Sequence, residues 1–582
     1  MPDCPFNPAA ENIADLIYRF GSLQSERWNN TSSLCADYVS SDYIILHMPL
    51  TPDAVSMRVH SYYMIPSLFS PLDYNAMEAS GVLSAFNSPA LNNQGKGVLI
   101  GLVDTGIDYR SPLFQNPDGT TRIAGIWDQS IPIEEDVLPA GVPDYYPMGG
   151  SSYGTEYTRE QINEALASDD PLSLVPTQDT IGHGTFLAGL AAGSSIPQED
   201  FTGAAPEAEL AVVKLKPAKK YLRDFYLIPS DAPAFQENDI MMGIKYLRMM
   251  ADRLKKPLVI LLAMGSNSGS HIGTSPLSQV TQNYSGFFGI ITVIAGGNET
   301  GAAHHFYASI PAGTEYEDVE IRVGKEEAER GFVLELWAAD ADTYTVGFIS
   351  PSGERISRIP IIANNETSIP FLLDATTITV NYQLIEAESG SQLIFMRFQT
   401  PAAGIWTVRV YNTQRFKGTF HMWLPVQGMI SEETVFLRPD PYSTITVPGN
   451  SRLPITVGAY DTSTGGIYIH SSRGFTPNQI VKPELAAPGV NILGPSVGRK
   501  PGSDTPMTTR TGTSAAAAIT AGAAANLLGW GIVEGNYPTM SEASVKSYLI
   551  RGAQRNPALT YPNREFGYGT LDLFQTFLRL RE

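Results

Sequence analysis

The sequence predicts an α/β protein: a parallel sheet with helices on both faces, carrying an inserted all-β unit and preceded by a small α+β segment. Three observations predict it. The runs "GVLIGLVDTG" (97–106), "ELAVVKLK" (209–216), "PLVILLAMG" (257–265) and "GIITVIAGGN" (289–298) are continuously apolar and end in glycine or polar residues. Helical patterns at 182–193 and 236–254 lie between them, the arrangement of fully buried strands with helical crossovers. From about 306 to 440 the pattern changes to short alternating strands, and after 441 the mixed rhythm returns.

Taken in order, residues 1–70 predict a helix over 9–19 and strands over 43–50 and 56–65, followed by an extended connection around Pro66 and Pro71. The strand at 97–106 ends on Asp104. Beyond it, Thr158 and Gln161 form a capping-box pattern that opens a short helix. In the inserted unit, "GFVLELWA", "YTVGFISPSG", "ITVNYQLIEA", "QLIFMRFQT", "GIWTVRVYN" and "GTFHMWLPV" are regularly spaced strands with turn signals, as in a β-sandwich or jelly roll. "PITVGAYD" resumes the parallel sheet, and "GTSAAAAITAGAAANLL" (512–528) is so uniformly small and apolar that it predicts a helix buried on all sides.

At 582 residues the chain is long enough for two to four domains. Its 39 basic and 59 acidic residues give a net charge of −20, which argues against nucleic acid or an anionic membrane surface as a partner. Two cysteines, Cys4 and Cys35, make neither a disulfide scaffold nor a metal cluster. The opening "MPDCPFNPAAENIADLIYRF" has no continuous apolar core, so no secretory signal is expected. The alanine-rich segment is expected to be too short and interrupted to span a bilayer.

Four motifs carry chemistry. Asp104 stands at a strand end, where open α/β sheets gather their functional groups. His183 lies between two glycines at the head of a helical run, which clears space around its imidazole. Asn298 follows a strand and a glycine-rich turn, and Ser514 opens the buried helix. Singly, each has a structural reading: a turn aspartate, a packed histidine, a helix cap. Jointly they supply what acyl transfer needs. A serine requires a base to take its proton, an imidazole serves near neutral pH, a carboxylate fixes the ring, and an amide with a helix-head N–H holds the oxyanion.

In "VDTGID" (103–108), "GHGTFLAG" (182–189), "AGGNETG" (295–301) and "GTSAAAAITAG" (512–522), with support from "SSRGF" (471–475) and "KPELAAPGVNI" (482–492), the chain resembles the subtilisin (S8) family of serine proteases. The resemblance covers roughly 80–305 and 441–575. It implies a subtilisin-like sheet sandwiched by helices, with Asp104 as orienter, His183 as general base, Ser514 as nucleophile and Asn298 as oxyanion donor. It also implies that Ala263, Met264 and Gly265 line the cleft as an edge strand, with Ala295, Gly296 and Gly297 on its other side. Two positions depart from the family pattern: Phe186 stands where a second histidine is usual, and Ala518 where a proline is usual. Neither supplies chemistry.

The long stretch between Asp104 and His183, the inserted β unit and the run "EASGV" (78–82) are most like the clostridial Csp spore-germination proteases. This implies four parts: a prodomain (1–70) that aids folding, a catalytic domain in two pieces (71–305 and 441–582), and an inserted jelly-roll domain (306–440). The prodomain tail, at about 65–72, would lie in the cleft, be cut there and remain bound. The implied partners are a protein or peptide substrate and the cleaved prodomain, with the chain in the cytoplasm or associated with the spore. No cofactor is required, and no loop presents a carboxylate set that compels the calcium common in subtilisins.

Overall fold

The computed structural model describes residues 6–580 except 20–34, 41, 52–55, 72–77, 87, 89–90, 92, 133–152, 197–200, 340, 363–365 and 499–505. Its centre is an eight-stranded sheet in the order Leu485–Pro488, Ile455–Tyr460, Ile290–Ala295, Leu258–Leu262, Leu99–Asp104, Glu209–Lys214, Ile123–Asp128 and Thr155–Thr158. The first seven run parallel, and the last is antiparallel to its neighbour.

Strand Leu99–Asp104 shows why these runs are apolar throughout. Leu99 and Val103 face the Glu237–Leu254 helix, while Ile100 and Leu102 face the His183–Ala192 and Thr513–Leu528 helices. Successive side chains point to opposite faces, and here both faces are covered. The capping box at Thr158 is present: its hydroxyl accepts from Gln161 N, and the Gln161 side chain accepts from Thr158 N at 2.8 Å.

The inserted unit is a sandwich of a six-stranded and a five-stranded antiparallel sheet. Trp406, Tyr344, Phe348, Leu334 and Met396 lie in the core between them. The chain enters it through His305–Ser309 and leaves it after Val435–Phe436.

The N-terminal segment departs from expectation in two places. Residues 9–19 are not a helix: Ile13–Arg19 is a strand paired antiparallel with Tyr43–Pro49. Ile13, Ala14, Asp15, Leu16 and Ile17 are all buried, so pairing and packing on both sides outweigh the helical bias of Ala, Glu and Leu. Residues 56–65 are not a strand either. They form a turn and a short 3₁₀ helix at Tyr62–Met64, and the aromatic residues that suggested a strand are buried against the inserted unit instead. The third strand of this small sheet is Ala36–Tyr38, on the other side of Tyr43–Pro49.

The alanine-rich helix also differs in length. Continued to Val533 it is 21 residues with a mean hydropathy of 1.5, long and apolar enough by length and composition to cross a membrane. Most of it is buried inside the protein (83%), as suits the central helix of a folded core.

Candidate active site

Asp104 ends its strand with one carboxylate oxygen, Oδ1, accepting the N–H of Thr105 at 2.8 Å and lying 2.7 Å from His183 Nδ1. Both side chains are buried. With Nδ1 donating to the carboxylate, a neutral imidazole carries its lone pair on Nε2, the nitrogen a general base uses.

The glycines around His183 have defined tasks. Gly182 adopts φ +79°, a conformation that L side chains resist, to turn the chain into the helix. Gly184 packs against Gly106 so tightly that a Cβ would sit 2.1 Å from the Gly106 carbonyl oxygen. Asp179, which the motif reading did not single out, anchors this turn. Its Oδ1 accepts from the Thr105 hydroxyl (2.9 Å) and Gly182 N (2.7 Å), and its Oδ2 from Thr185 N (2.9 Å) and Oγ1 (2.7 Å). Thr105 Oγ1 in turn accepts Gly184 N at 2.9 Å. The available signal was a short carboxylate just ahead of a predicted helix.

Ser514 is the second residue of the Thr513–Leu528 helix and is buried. The turn at 295–298 is stitched to this helix head. Thr513 N donates to Asn298 Oδ1 at 3.0 Å, and Gly297 N donates to Thr513 Oγ1 at 3.1 Å. Asn298 is thus tied to the helix head through its side-chain carbonyl, so its NH₂ is the end that can donate elsewhere. Ala295 pairs with Val457 in the sheet. Gly296 N donates to Val457 O, and Gly296 O accepts Thr446 N. These residues fix the turn that carries Asn298. The guanidinium of Arg510, which ends the strand Met507–Arg510 four residues before Ser514, lies against Gly182, next to His183. Phe186 is buried beneath Gly494 with the Arg510 guanidinium 5.8 Å from its ring centre, and Ala518 is buried in the core.

Ala263 is buried, and Met264 and Gly265 form a short strand beside it. Leu68–Pro71 from the N-terminal segment pairs antiparallel with this strand, Ser70 opposite Gly265 and Pro71 opposite Met264. On its other side Leu68–Pro71 pairs with Phe235–Gln236, so it is the middle strand of three. Phe69 is fully buried in the same core as Leu262, Met264 and Ile240. Ser67 exchanges backbone hydrogen bonds with Glu237, donating to its carboxylate and accepting its N–H. Burial pushes the Glu237 carboxyl up to about 7. Leu72, within the stretch expected to lie in the cleft, falls outside the described residues.

A second charged group ties the N-terminal segment down. Lys219 Nζ lies 2.8 Å from Asp15 Oδ2 and donates to the carbonyl oxygens of Pro8 (2.6 Å) and Ile13 (3.0 Å). The other oxygen of Asp15 is 2.8 Å from His47 Nδ1, and Asp37 Oδ2 is 3.2 Å from His47 Nε2. Although burial opposes charge at both groups, the two carboxylates raise His47 to about 9, and Lys219 and His47 hold Asp15 well below the usual carboxylate range.

Among the described residues no group of three or more His, Cys, Asp or Glu side chains is placed to hold a metal ion. The His304–His305 pair is divided: His304 faces Glu299 at 3.0 Å, and His305 faces His421 at 2.9 Å.

Sheet, strand-end aspartate, glycine-flanked histidine and serine-headed helix define the class. The subtilase family model matches residues 95–349 and 438–569, and the chain belongs to the subtilase family. It is 30% identical to the CspB protease of Clostridium perfringens, covering 87% of this chain and 97% of that one, with a TM-score of 0.75. It is 23% identical to the subtilisin-like protease SBT3.5 of Arabidopsis thaliana, over 87% of its own length and 64% of that protein. With SBT3.12 of the same plant the identity is 24%, over 81% and 59%. The chain therefore spans less than two thirds of the length of these plant relatives.

Proposed function

We propose that the chain is a serine endopeptidase that cleaves peptide bonds through an acyl-enzyme. Ser514 Oγ attacks the scissile carbonyl as His183 Nε2 takes its proton, and Asp104 fixes the ring and stabilises the imidazolium. The Asn298 amide and the backbone N–H at the helix head receive the developing oxyanion. The buried Asp104–His183 pair, 2.7 Å apart at the end of a central strand, carries this reading.

The first substrate is the chain itself. Residues 68–71 already run antiparallel beside Met264–Gly265, the main-chain pairing by which an extended peptide is held for cleavage. On this reading residues 1 to about 70 are a prodomain, cut just beyond the paired strand and retained afterwards by Lys219 and the cleft. Such a template has a physical use, because a parallel sheet built from distant segments folds slowly. The likeness to the CspB protease extends the proposal to a role in spores: activation of a cortex-lytic hydrolase zymogen.

Intact masses of the wild-type chain and Ser514→Ala, measured side by side, test the chemistry. The expected result is a wild-type cut beyond Pro71 that the variant lacks. Processing of purified Ser514→Ala at the wild-type rate would remove the assignment, and two uncut chains would favour a non-catalytic regulator. Cleavage of a cortex-hydrolase zymogen in preference to unfolded casein separates the spore role from general protein degradation.

A further inference from the structure

Strand Phe332–Ala338 of the inserted unit is buried on both faces. Phe332, Leu334 and Leu336 enter the sandwich core, and the alternate residues Val333, Glu335 and Trp337 face the other way. That outer face meets the N-terminal segment and the loop that follows Met264–Gly265. Glu335 sits where the three meet. Its Oε1 accepts from the Tyr62 hydroxyl at 2.6 Å, and its Oε2 accepts from Gly269 N and from Trp337 Nε1, both at 2.9 Å. The Tyr62 ring stands edge-on to Trp337 at 5.4 Å and 6.3 Å from Phe395. Beside it Tyr63 stacks on Trp337, and its hydroxyl accepts Ser270 N at 3.2 Å.

Apart from Tyr62 and its neighbour Tyr63, the groups named here belong to the inserted unit or the catalytic body. Another peptide can occupy the cleft only when residues 62–71 have left it. Their departure takes a donor from a carboxylate set between aromatic walls, and water in a groove lined by Trp337 and Phe395 replaces that donor less well than a second hydroxyl does. The emptied groove therefore favours a chain that brings a hydroxyl back on an aromatic ring. The main-chain pairing at Met264–Gly265 adds affinity with little sequence preference, so selectivity has to come from such side-chain pockets.

We propose, resting on the reading that this cleft cleaves other proteins, that Glu335, Trp337 and Phe395 form a tyrosine-selective subsite for the substrate. It lies on the inserted unit and reads the residue nine positions before the one paired with Met264, as Tyr62 stands to Pro71. The inserted unit is then a part of the substrate cleft, and the substrates it selects carry a tyrosine well upstream of the cut.

The test varies the substrate and leaves the enzyme intact. Three synthetic peptides copying residues 58–80 carry a fluorophore and quencher at their ends, with tyrosine kept at position 62 or replaced as Tyr62→Phe or Tyr62→Ala. The full chain hydrolyses them, and mass spectrometry locates the cut. A lost hydrogen bond to a buried carboxyl predicts a fall in kcat/KM of about tenfold or more from Tyr to Phe, in KM rather than kcat. The alanine peptide is expected to be poorer still. In Glu335→Gln the gap between the Tyr and Phe peptides is expected to narrow. Equal kcat/KM for all three peptides overturns the subsite and leaves the peptidase standing, as does a tyrosine preference unchanged in Glu335→Gln. Intact mass and gel filtration first isolate self-processed chain that has released its N-terminal segment; if that chain cleaves none of the three, the reading that it cuts other chains fails, and the subsite falls with it.

Discussion

Asp104–His183 and Asp15–His47 are the same chemical pair built twice in one chain. In each, a carboxylate oxygen lies against Nδ1, at 2.7 Å in one and 2.8 Å in the other, and all four side chains are buried. They differ at what surrounds the pair. His47 has a second carboxylate, Asp37, at Nε2, and Asp15 has a second cation, Lys219. With both ring nitrogens facing carboxylates, His47 holds its proton to about pH 9 and has no lone pair to offer. His183 has Asp104 at Nδ1 and sits on a glycine-cleared turn at the head of its own helix. On the proposed function the first pair works as a base, whereas the carboxylate at the far nitrogen of His47 makes the second a structural clamp.

The largest effect separates the two pairs by chemistry. Asp104→Asn is expected to lower self-processing and peptide hydrolysis by about 10⁴-fold, because an amide no longer fixes the tautomer or stabilises the imidazolium. Asp15→Asn is expected to leave the rate of the cutting step within a few-fold. Rates from intact-mass time courses check both, and a comparable loss in Asp15→Asn would erase the distinction.

The next effect is on stability and falls on the other pair. Asp15→Ala strands Lys219 as a buried cation and leaves His47 with Asp37 alone, and removing one partner of a buried ion pair costs about 3–5 kcal/mol. Denaturant unfolding in the Ser514→Ala background, where the chain stays whole, measures it. The loss is expected in the transition that includes the N-terminal segment. A change under about 1 kcal/mol would mean that water replaces the aspartate at no cost and that Lys219 is not an anchor.

How far the sequence reached follows the same division. The parallel strands, the three long helices and the four residues of the candidate site could be picked out because each has a local cause: unbroken apolar runs, glycines at a tight approach, a small-residue helix. What was missed depends on distant partners. Asp15 lies in "NIADLIYRF", a stretch whose local bias is helical, and only pairing with Tyr43–Pro49 makes it a strand. Its carboxylate is buried because Lys219, far along the chain, meets it there. Tyr62 and Tyr63 read as strand residues, yet they are placed by Trp337 and Glu335 in the inserted unit. Asp179 had a local signal as a cap but no signal for its bond to Thr105.

The pH dependence sharpens the comparison further. His47 is raised in the folded chain, so the stability it adds is fully present below its ordinary value of 6.5 and is lost as pH rises through about 9. Across that window the loss is on the order of 3 kcal/mol. His47→Gln is expected to flatten the slope of stability against pH between 6.5 and 9. Asp15 has the opposite sign: its depressed value adds stability above the ordinary carboxylate range, lost as pH falls below about 4. Thermal unfolding of Ser514→Ala with and without His47→Gln from pH 5 to 10 checks the alkaline limb. Parallel curves would show that His47 is not the group that titrates.

The smallest change makes the clamp resemble the base. Asp37→Asn removes the second carboxylate but keeps an oxygen that can accept from His47 Nε2, so the fold is expected to lose only about 1 kcal/mol. Asp37 is also the more distant of the two carboxylates, 3.2 Å against 2.8 Å, so Asp15 remains the principal partner. The alkaline loss of stability is expected to begin about one pH unit lower than in the parent chain, since one unit corresponds to about 1.4 kcal/mol between the two protonation states. The measurement is the midpoint of the alkaline stability curve in the Ser514→Ala background. An unmoved midpoint would assign the high value of His47 to Asp15 alone. The difference between the two pairs would then lie in their access to a serine rather than in the number of carboxylates around the ring.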